Sequence, residues 1–218
     1  MITIKCHSCN EPISPDDVEG YNLKYAKCHK CTKCIAVLNA DGIWCSPEQI
    51  LKDSPERNGW IQVNTQHDRI VLYVLSQVMY RQLERQEQDV VFDEPDPQDQ
   101  AAILWQHGEA IGFYTFKPKG LVFNTMVESY QMTTVDSVFI RTAHRRHGHA
   151  TSMLTHITSC FPQQDIAFSS PISDNMCKVV RKYLNKNPGL REKLWQVEGT
   201  GREGDRKLLW YCTRRKKK

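Results

Sequence analysis

No run of eighteen apolar residues occurs in this 218-residue chain, so none of its helices is expected to span a membrane. The start, MITIKCHSCN, lacks the charged and apolar segments of a secretory signal, and the expectation is an intracellular protein, nuclear or cytoplasmic. Aliphatic side chains are scarce between Cys6 and Cys34, too few for that stretch to build a core of its own. A basic surface is lacking too. The net charge is +4, but Arg214, Arg215, Lys216, Lys217 and Lys218 carry five positive charges and leave the rest at −1. The cationic character is therefore a tail, expected to be disordered, and serving either as a nuclear-import tag or as a solubilising end. No internal repeat is visible, and no Cys–His nucleophile pair is evident.

What is present suffices for a sizeable core: 40% of the residues are hydrophobic and 25% are charged. Nine cysteines without a secretory signal point to a reducing compartment, where thiols stay free or bind metal. The punctuation suggests a Cys-rich module over residues 1–40, a larger domain over 41–213 and the basic tail over 214–218. Within the domain, IAVL and IWC read as short strands around an Asn39–Gly42 turn. SPEQILKD reads as a helix with a Ser46 cap, Pro47 in its first turn and Gln49 closing a capping box. TQHDRIVLYVLSQVMYRQLERQEQ is a longer helix, with Ile70, Val71, Val74, Leu75, Val78, Met79 and Leu83 as its apolar stripe. AAILWQH and AIGFYTF are strands joined through HGEA. VDSVFI is a strand, TSMLTHITSCF a helix, DIAFSS a strand and NMCKVVRKYLNK a helix that Asn187, Pro188 and Gly189 end. LWQVEG and KLLWYC read as a closing pair of strands. The sum is a mixed α/β fold.

The stretch VFIRTAHRRHGHA, Val138–Ala150, passes from strand to helix through a cationic loop. A helix start offers unpaired N–H groups and partial positive charge, which suits phosphate. Arg145 and Arg146 would add charge-assisted bonds, Gly148 would let a phosphate approach the backbone, and Ala150 is small enough to pack closely against a ligand. An ordinary exposed basic loop is the alternative. His147 and His149 flank the glycine as solvated loop imidazoles or as phosphate contacts. Cys160 and Cys177 read as small buried apolar residues within helices.

IRTAHRRHGHA resembles the coenzyme A loop of the GCN5-related N-acetyltransferase superfamily: an arginine, two residues, glycine, one residue, then alanine, at Arg145, Gly148 and Ala150. The runs RIVLYVLSQVMYR, ILWQHGEAIGFYTFKP, KYLNKNPG and LWQVEG resemble the family with sequence similarity 169, the soluble lamin-associated protein family, over roughly residues 43–199. The resemblance implies a GCN5-related mixed sheet flanked by helices, with acetyl-CoA as ligand. It places the central strand, ending at Ile140, along the pantetheine arm. It implies Asp136 as a base on that strand, where glutamate is usual, and Tyr183 as the acid. Thr142 departs from the proline often found there. An acyl-CoA-dependent N-acyltransferase is one implied function. A catalytically silent protein-interaction module at the nuclear envelope, with lamina components as partners, is the other.

Cys6-x2-Cys9 and Cys28-x2-Cys31, eighteen residues apart, have the spacing of a structural four-thiolate zinc site, with Cys34 as a substitute ligand. Lysines and acids balance in this module, so it carries no nucleic-acid footprint.

Overall fold

The computed structural model describes residues 4, 5, 9, 12–18, 23–28, 30, 34–87, 89–91, 95, 96, 99–122 and 128–213. The basic tail, Cys6 and Cys31 lie outside them. Two compact units divide the chain: Met1–Gln86 with Asp93–Phe113, and Glu87–Phe92 with Tyr114–Lys218.

The first unit opens with a five-stranded antiparallel sheet: β1 (Ile4–Lys5), β2 (Pro12–Val18), β3 (Leu23–Lys27), β4 (Cys34–Leu38) and β5 (Trp44–Cys45), paired in chain order. Three of these strands were not foreseen. The scarcity of aliphatic residues is met by small ones: Ala26, Cys28 and Ala36 are buried together, with Cys9 and Trp44 packed against them. The Asn39–Gly42 turn forms as expected. The Asn39 Oδ1 accepts from the backbone N–H of Asp41 and Ile43, and Gly42 takes a φ of 77°.

Helix α1 (Pro47–Ile50) carries the foreseen capping box: the Gln49 N–H donates to the Ser46 hydroxyl, and the Gln49 side chain accepts from the Ser46 N–H. Strand β6 (Gly59–Gln62) was not foreseen. Helix α2 (Gln66–Tyr73) runs straight into a π-helical segment, Val74–Glu84. The wider winding shows at its end, where the Arg85 N–H reaches the carbonyl five residues back, on Tyr80. Burial there is all round rather than in a stripe. Tyr73, Ser76, Gln77 and Tyr80 are buried with the aliphatics, whereas Leu83, assigned to the stripe from sequence, is exposed.

Strands β7 (Gln100–Gln106) and β8 (Glu109–Lys117) form the expected hairpin. His107 and Gly108 both take positive φ, 50° and 77°, as a two-residue primed turn requires. Gly108 is irreplaceable for a second reason. A Cβ there would sit 2.6 Å from the carbonyl oxygens of Asp53 and Ser54. Gly108→Ala is expected to cost more than about 1 kcal/mol, read as a lower midpoint in urea with an unchanged slope.

The second sheet has the order β12-β11-β10-β9-β8-β7-β6. The unit boundary falls within β8, so β6, β7 and the first half of β8 belong to the first unit. The second half of β8 belongs to the other, with β9 (Thr133–Ile140), β10 (Ile166–Ser169), β11 (Leu194–Val197) and β12 (Arg206–Leu208). Strands β9, β10 and β11 run parallel, while β12 is antiparallel to β11 and β6 to β7. Helix α3 (His149–Cys160) connects β9 to β10, and α4 (Asp174–Lys186) connects β10 to β11, the two packing on each other. Each parallel pair thus has its crossover helix. KLLWYC is not one strand: after Leu208 the chain turns into the short helix α5 (Leu209–Cys212), with Leu209 fully buried. The mixed α/β class expected from the sequence holds. Among the described residues, no helix is long and apolar enough to cross a membrane.

Candidate functional site

Strands β9 and β10 pair only at their starts. Ile166, Ala167 and Phe168 stand opposite Thr133, Thr134 and Val135, and β9 then runs on to Ile140 with no further partner in β10. The cause lies on the other side of β10. Ser169 pairs with Val197 of β11, and the Ser170 N–H donates to the Val197 carbonyl at 2.9 Å. Strand β10 follows β11, and β9 is left with an edge facing a fork. At its base the Ser169 hydroxyl donates to Asp136 Oδ1 at 2.8 Å, and Lys117 Nζ lies 4.0 Å from Asp136 Oδ2. Asp136 is exposed, and Ile140, on the same face four residues on, is buried.

Beyond β9 a short 3-10 turn, Thr142–His144, leads to the cationic loop. Arg146 and Gly148 both take left-handed backbone, with φ of 71° and 88°. Gly148 caps α3 without any side-chain bond. The loop therefore curls, and no backbone hydrogen bond of the described residues uses the N–H groups of residues 146–150 as donors. Concave runs of free N–H groups ahead of a twelve-residue helix favour an anion. Beyond its chain neighbours and the adjoining helix backbone, a Cβ placed on Gly148 would meet no atom of the described residues within 4 Å, so the space in front of it is open.

The two arginines separate. Arg145 Nε donates to the Ile140 carbonyl at 2.9 Å, its guanidinium carbon lies 5.9 Å from the Phe139 ring, and its Nη2 stands 3.8 Å from Asp89. Arg145 thus staples the loop to the end of β9. Arg146 is exposed and makes no ion pair among the described residues. Ala150 lies half-buried in the first turn of α3.

Tyr183 is 6% exposed, and its hydroxyl lies 3.1 Å from Thr158 Oγ1, where it ties α4 to α3. The structure thus brings together Asp136, Ile140, Arg145, Arg146, Gly148 and Ala150 along one strand, loop and helix start. It turns the Tyr183 hydroxyl to the α3 contact.

A cluster that the sequence did not reveal lies farther along α3. The Tyr114 hydroxyl is 2.8 Å from His156 Nδ1, and Cys160 Sγ is 3.9 Å from His156 Nε2. Burial lowers the His156 pKa and raises that of the Cys160 thiol, so the pair is held neutral rather than as an ion pair. Their i, i+4 spacing on a helix was the available signal. Cys160, expected to be buried, is exposed, and Cys177 is half-buried.

Beside the first sheet, Cys9 Sγ and Cys28 Sγ lie 3.3 Å apart, with Cys28 buried. No cluster of three or more metal-ligating side chains occurs among the described residues.

Comparison with known proteins agrees with the fold. The sequence model of the Acetyltransferase (GNAT) family matches residues 69–169, which include β9, the loop and α3. The chain is 36% identical over 185 residues to Protein FAM169B of Mus musculus, covering 82% of this chain and 55% of the relative. It is 35% identical over 108 residues to Protein FAM169BP of Homo sapiens, covering 48% of this chain and 56% of the relative. The chain thus spans about half the length of both. Its second sheet, flanked by helices, is a GNAT-like mixed α/β fold.

Proposed function

We propose that this chain binds acetyl-CoA, or a related acyl-CoA, in the fork between β9 and β10, with the pyrophosphate on the loop ahead of α3. The observation that carries the reading is the coincidence of two unfilled hydrogen-bonding surfaces. The edge of β9 beyond Val135 lacks a β10 partner, and the N–H groups of residues 146–150 lack backbone acceptors. An extended amide arm suits the first and a pyrophosphate the second. In this reading Arg145 fixes the loop from behind, Arg146 supplies an exposed charge, and Gly148 keeps the approach open. Thermal shift tests it: acetyl-CoA raises the melting temperature, and the rise shrinks with added salt as surface charges are screened. No shift at millimolar ligand would count against the reading.

Acyl transfer to an amine is the finer proposal. Asp136, exposed at the base of the fork, is the group to accept the ammonium proton, and Ser169 orients it. The Tyr183 hydroxyl, engaged with Thr158, favours the second reading, a ligand-binding or protein-interaction module without turnover. Lamina components as partners, and a nuclear address for residues 214–218, are supported by the sequence resemblance and the cationic end respectively.

A structural zinc at Cys6, Cys9, Cys28 and Cys31 is a separate proposal. The ligand spacing supports it, as does the approach of Cys9 and Cys28 to 3.3 Å, which is within about half an ångström of the ~3.8 Å between two thiolates on a tetrahedral zinc with Zn–S bonds of about 2.3 Å. Metal analysis of the purified protein is expected to find about one zinc per chain. Absence of zinc, with all these thiols freely reactive in the native protein, would overturn it.

A further inference from the structure

We propose that His147 and His149 are anion ligands of the cationic loop, and that His149 becomes imidazolium there, so that the site takes up a proton as its phosphate ligand binds. The inference rests on the reading of that loop as a pyrophosphate cradle.

Three imidazoles occur within six residues, around the two left-handed positions that curl the loop. The His147 and His149 rings lie 6.2 Å apart, centre to centre, one on each side of Gly148. His147 Nδ1 faces the His144 carbonyl oxygen at 3.3 Å. A carbonyl only accepts, so Nδ1 carries a proton there and Nε2 is the nitrogen left to respond to a ligand. His149 is the first residue of α3, and its own N–H belongs to the unpaired set.

In the ligand-free protein the surroundings discourage charge. Burial lowers the His149 pKa, and repulsion from His147 and then His144 lowers it further. Arg141, Arg145 and Arg146 add positive charge to the same loop. The acid that an ion pair places against it is Asp89, which is held on Arg145. The first turn of α3 beyond His149, Ala150 to Ser152, carries no charge. His149 is therefore neutral near pH 7 when the loop is empty. A phosphate a few ångströms away reverses the sign of the field and favours the imidazolium. The thermodynamic consequence is obligatory: a ligand that raises a pKa binds with proton uptake, and binds more tightly as pH falls through that window. The site would then prefer ligands whose charge persists at low pH, such as a pyrophosphate diester, over monoesters that lose charge near pH 6.

The probe is dephospho-CoA, which keeps the pyrophosphate and lacks the terminal phosphate monoester, so the ligand itself does not titrate between pH 6 and 8. Calorimetric titrations of the full chain at pH 6, 7 and 8, in buffers of different ionisation enthalpy, read both affinity and proton count. We expect roughly three- to fivefold tighter binding at pH 6 than at pH 8, the part of a one-unit pKa rise on one group that falls within this range, with a buffer-dependent heat at pH 7 that reports uptake. In the double variant His147→Gln, His149→Gln we expect weaker binding that no longer depends on pH or buffer, with His144→Asn as a milder second variant. Binding of the wild type with the same affinity at all three pH values and a buffer-independent heat would overturn the histidine role and leave the cradle standing. Absence of binding at every pH would overturn the cradle and the histidine role together.

Discussion

Gly148→Glu is expected to lose about 2–4 kcal/mol of acetyl-CoA affinity, roughly a 30- to 1,000-fold rise in Kd. The protein itself has room for the new side chain, since beyond the adjoining backbone no atom of the described residues lies within 4 Å of the added Cβ. The side chain would instead fill the open space in front of the free N–H groups and set a carboxylate where phosphate is to bind. Repulsion and steric exclusion act together. The backbone contributes a smaller term: at φ 88° a residue with a Cβ is strained by about 1 kcal/mol. That strain lowers the melting temperature by roughly 2–4 °C and bears on folding rather than on the ligand. Gly148→Asn separates the two, because asparagine tolerates the left-handed region and carries no charge. It should bind more tightly than the glutamate variant at similar stability. Equal affinity of wild type and Gly148→Glu, measured by calorimetry, would remove the ligand from this loop.

Arg57→Ala is expected to destabilise the first unit by about 3–5 kcal/mol, the usual cost of stranding a buried charge. Arg57 Nη2 donates to Asp68 Oδ1 at 2.7 Å and Nη1 to Asp53 Oδ2 at 2.6 Å, while the guanidinium carbon lies 4.1 Å from the Trp105 ring centre. Asp68 is 3% exposed, and its other oxygen already takes the N–H groups of Asn64 and Thr65 and the Thr65 hydroxyl. Truncation removes its cation and also uncovers the Trp105 face. A fall in melting temperature of roughly 6–20 °C follows for a chain of this size. The network also sets an acid limit. Burial pushes both carboxyls up, but the Arg57 bonds outweigh it and hold Asp53 and Asp68 below their ordinary values. A lowered carboxyl pKa contributes stability above the unfolded value of about 4 and loses it as pH falls through the folded one. The wild type should therefore lose more stability below pH 4 than Arg57→Ala does. A variant that melts within a degree or two of the wild type would show the network to be worth little.

Local chemistry made much of this fold legible. The Ser46 capping box, the Asn39–Gly42 turn and the His107–Gly108 hairpin are each encoded within four residues, and each formed. The strand-to-helix address of the Arg145–Ala150 loop was legible for the same reason. What stayed hidden depends on partners distant in sequence. KLLWYC is apolar and short, and its split into β12 and α5 is decided by β11 rather than by its own pattern. The π-helical winding of Val74–Glu84 stays hidden because the spacing of Val74, Leu75, Val78 and Met79 fits an ordinary amphipathic helix equally well. The β9/β10 fork exists because Ser169 and Ser170 stay with β11, which nothing within VDSVFI or DIAFSS announces. The sequence makes Arg145 a candidate phosphate contact, and only the folded chain shows its Nε committed to Ile140. The resemblance suggested a role for Tyr183, but the contact with Thr158 is tertiary.

Amide hydrogen exchange with and without acetyl-CoA tests the central claim most directly, because it reads binding and location at once. The expected result is slower exchange confined to the edge of β9, residues 137–140, and to residues 146–150. Exchange unchanged in both segments at saturating ligand, or slowed only elsewhere, would contradict it.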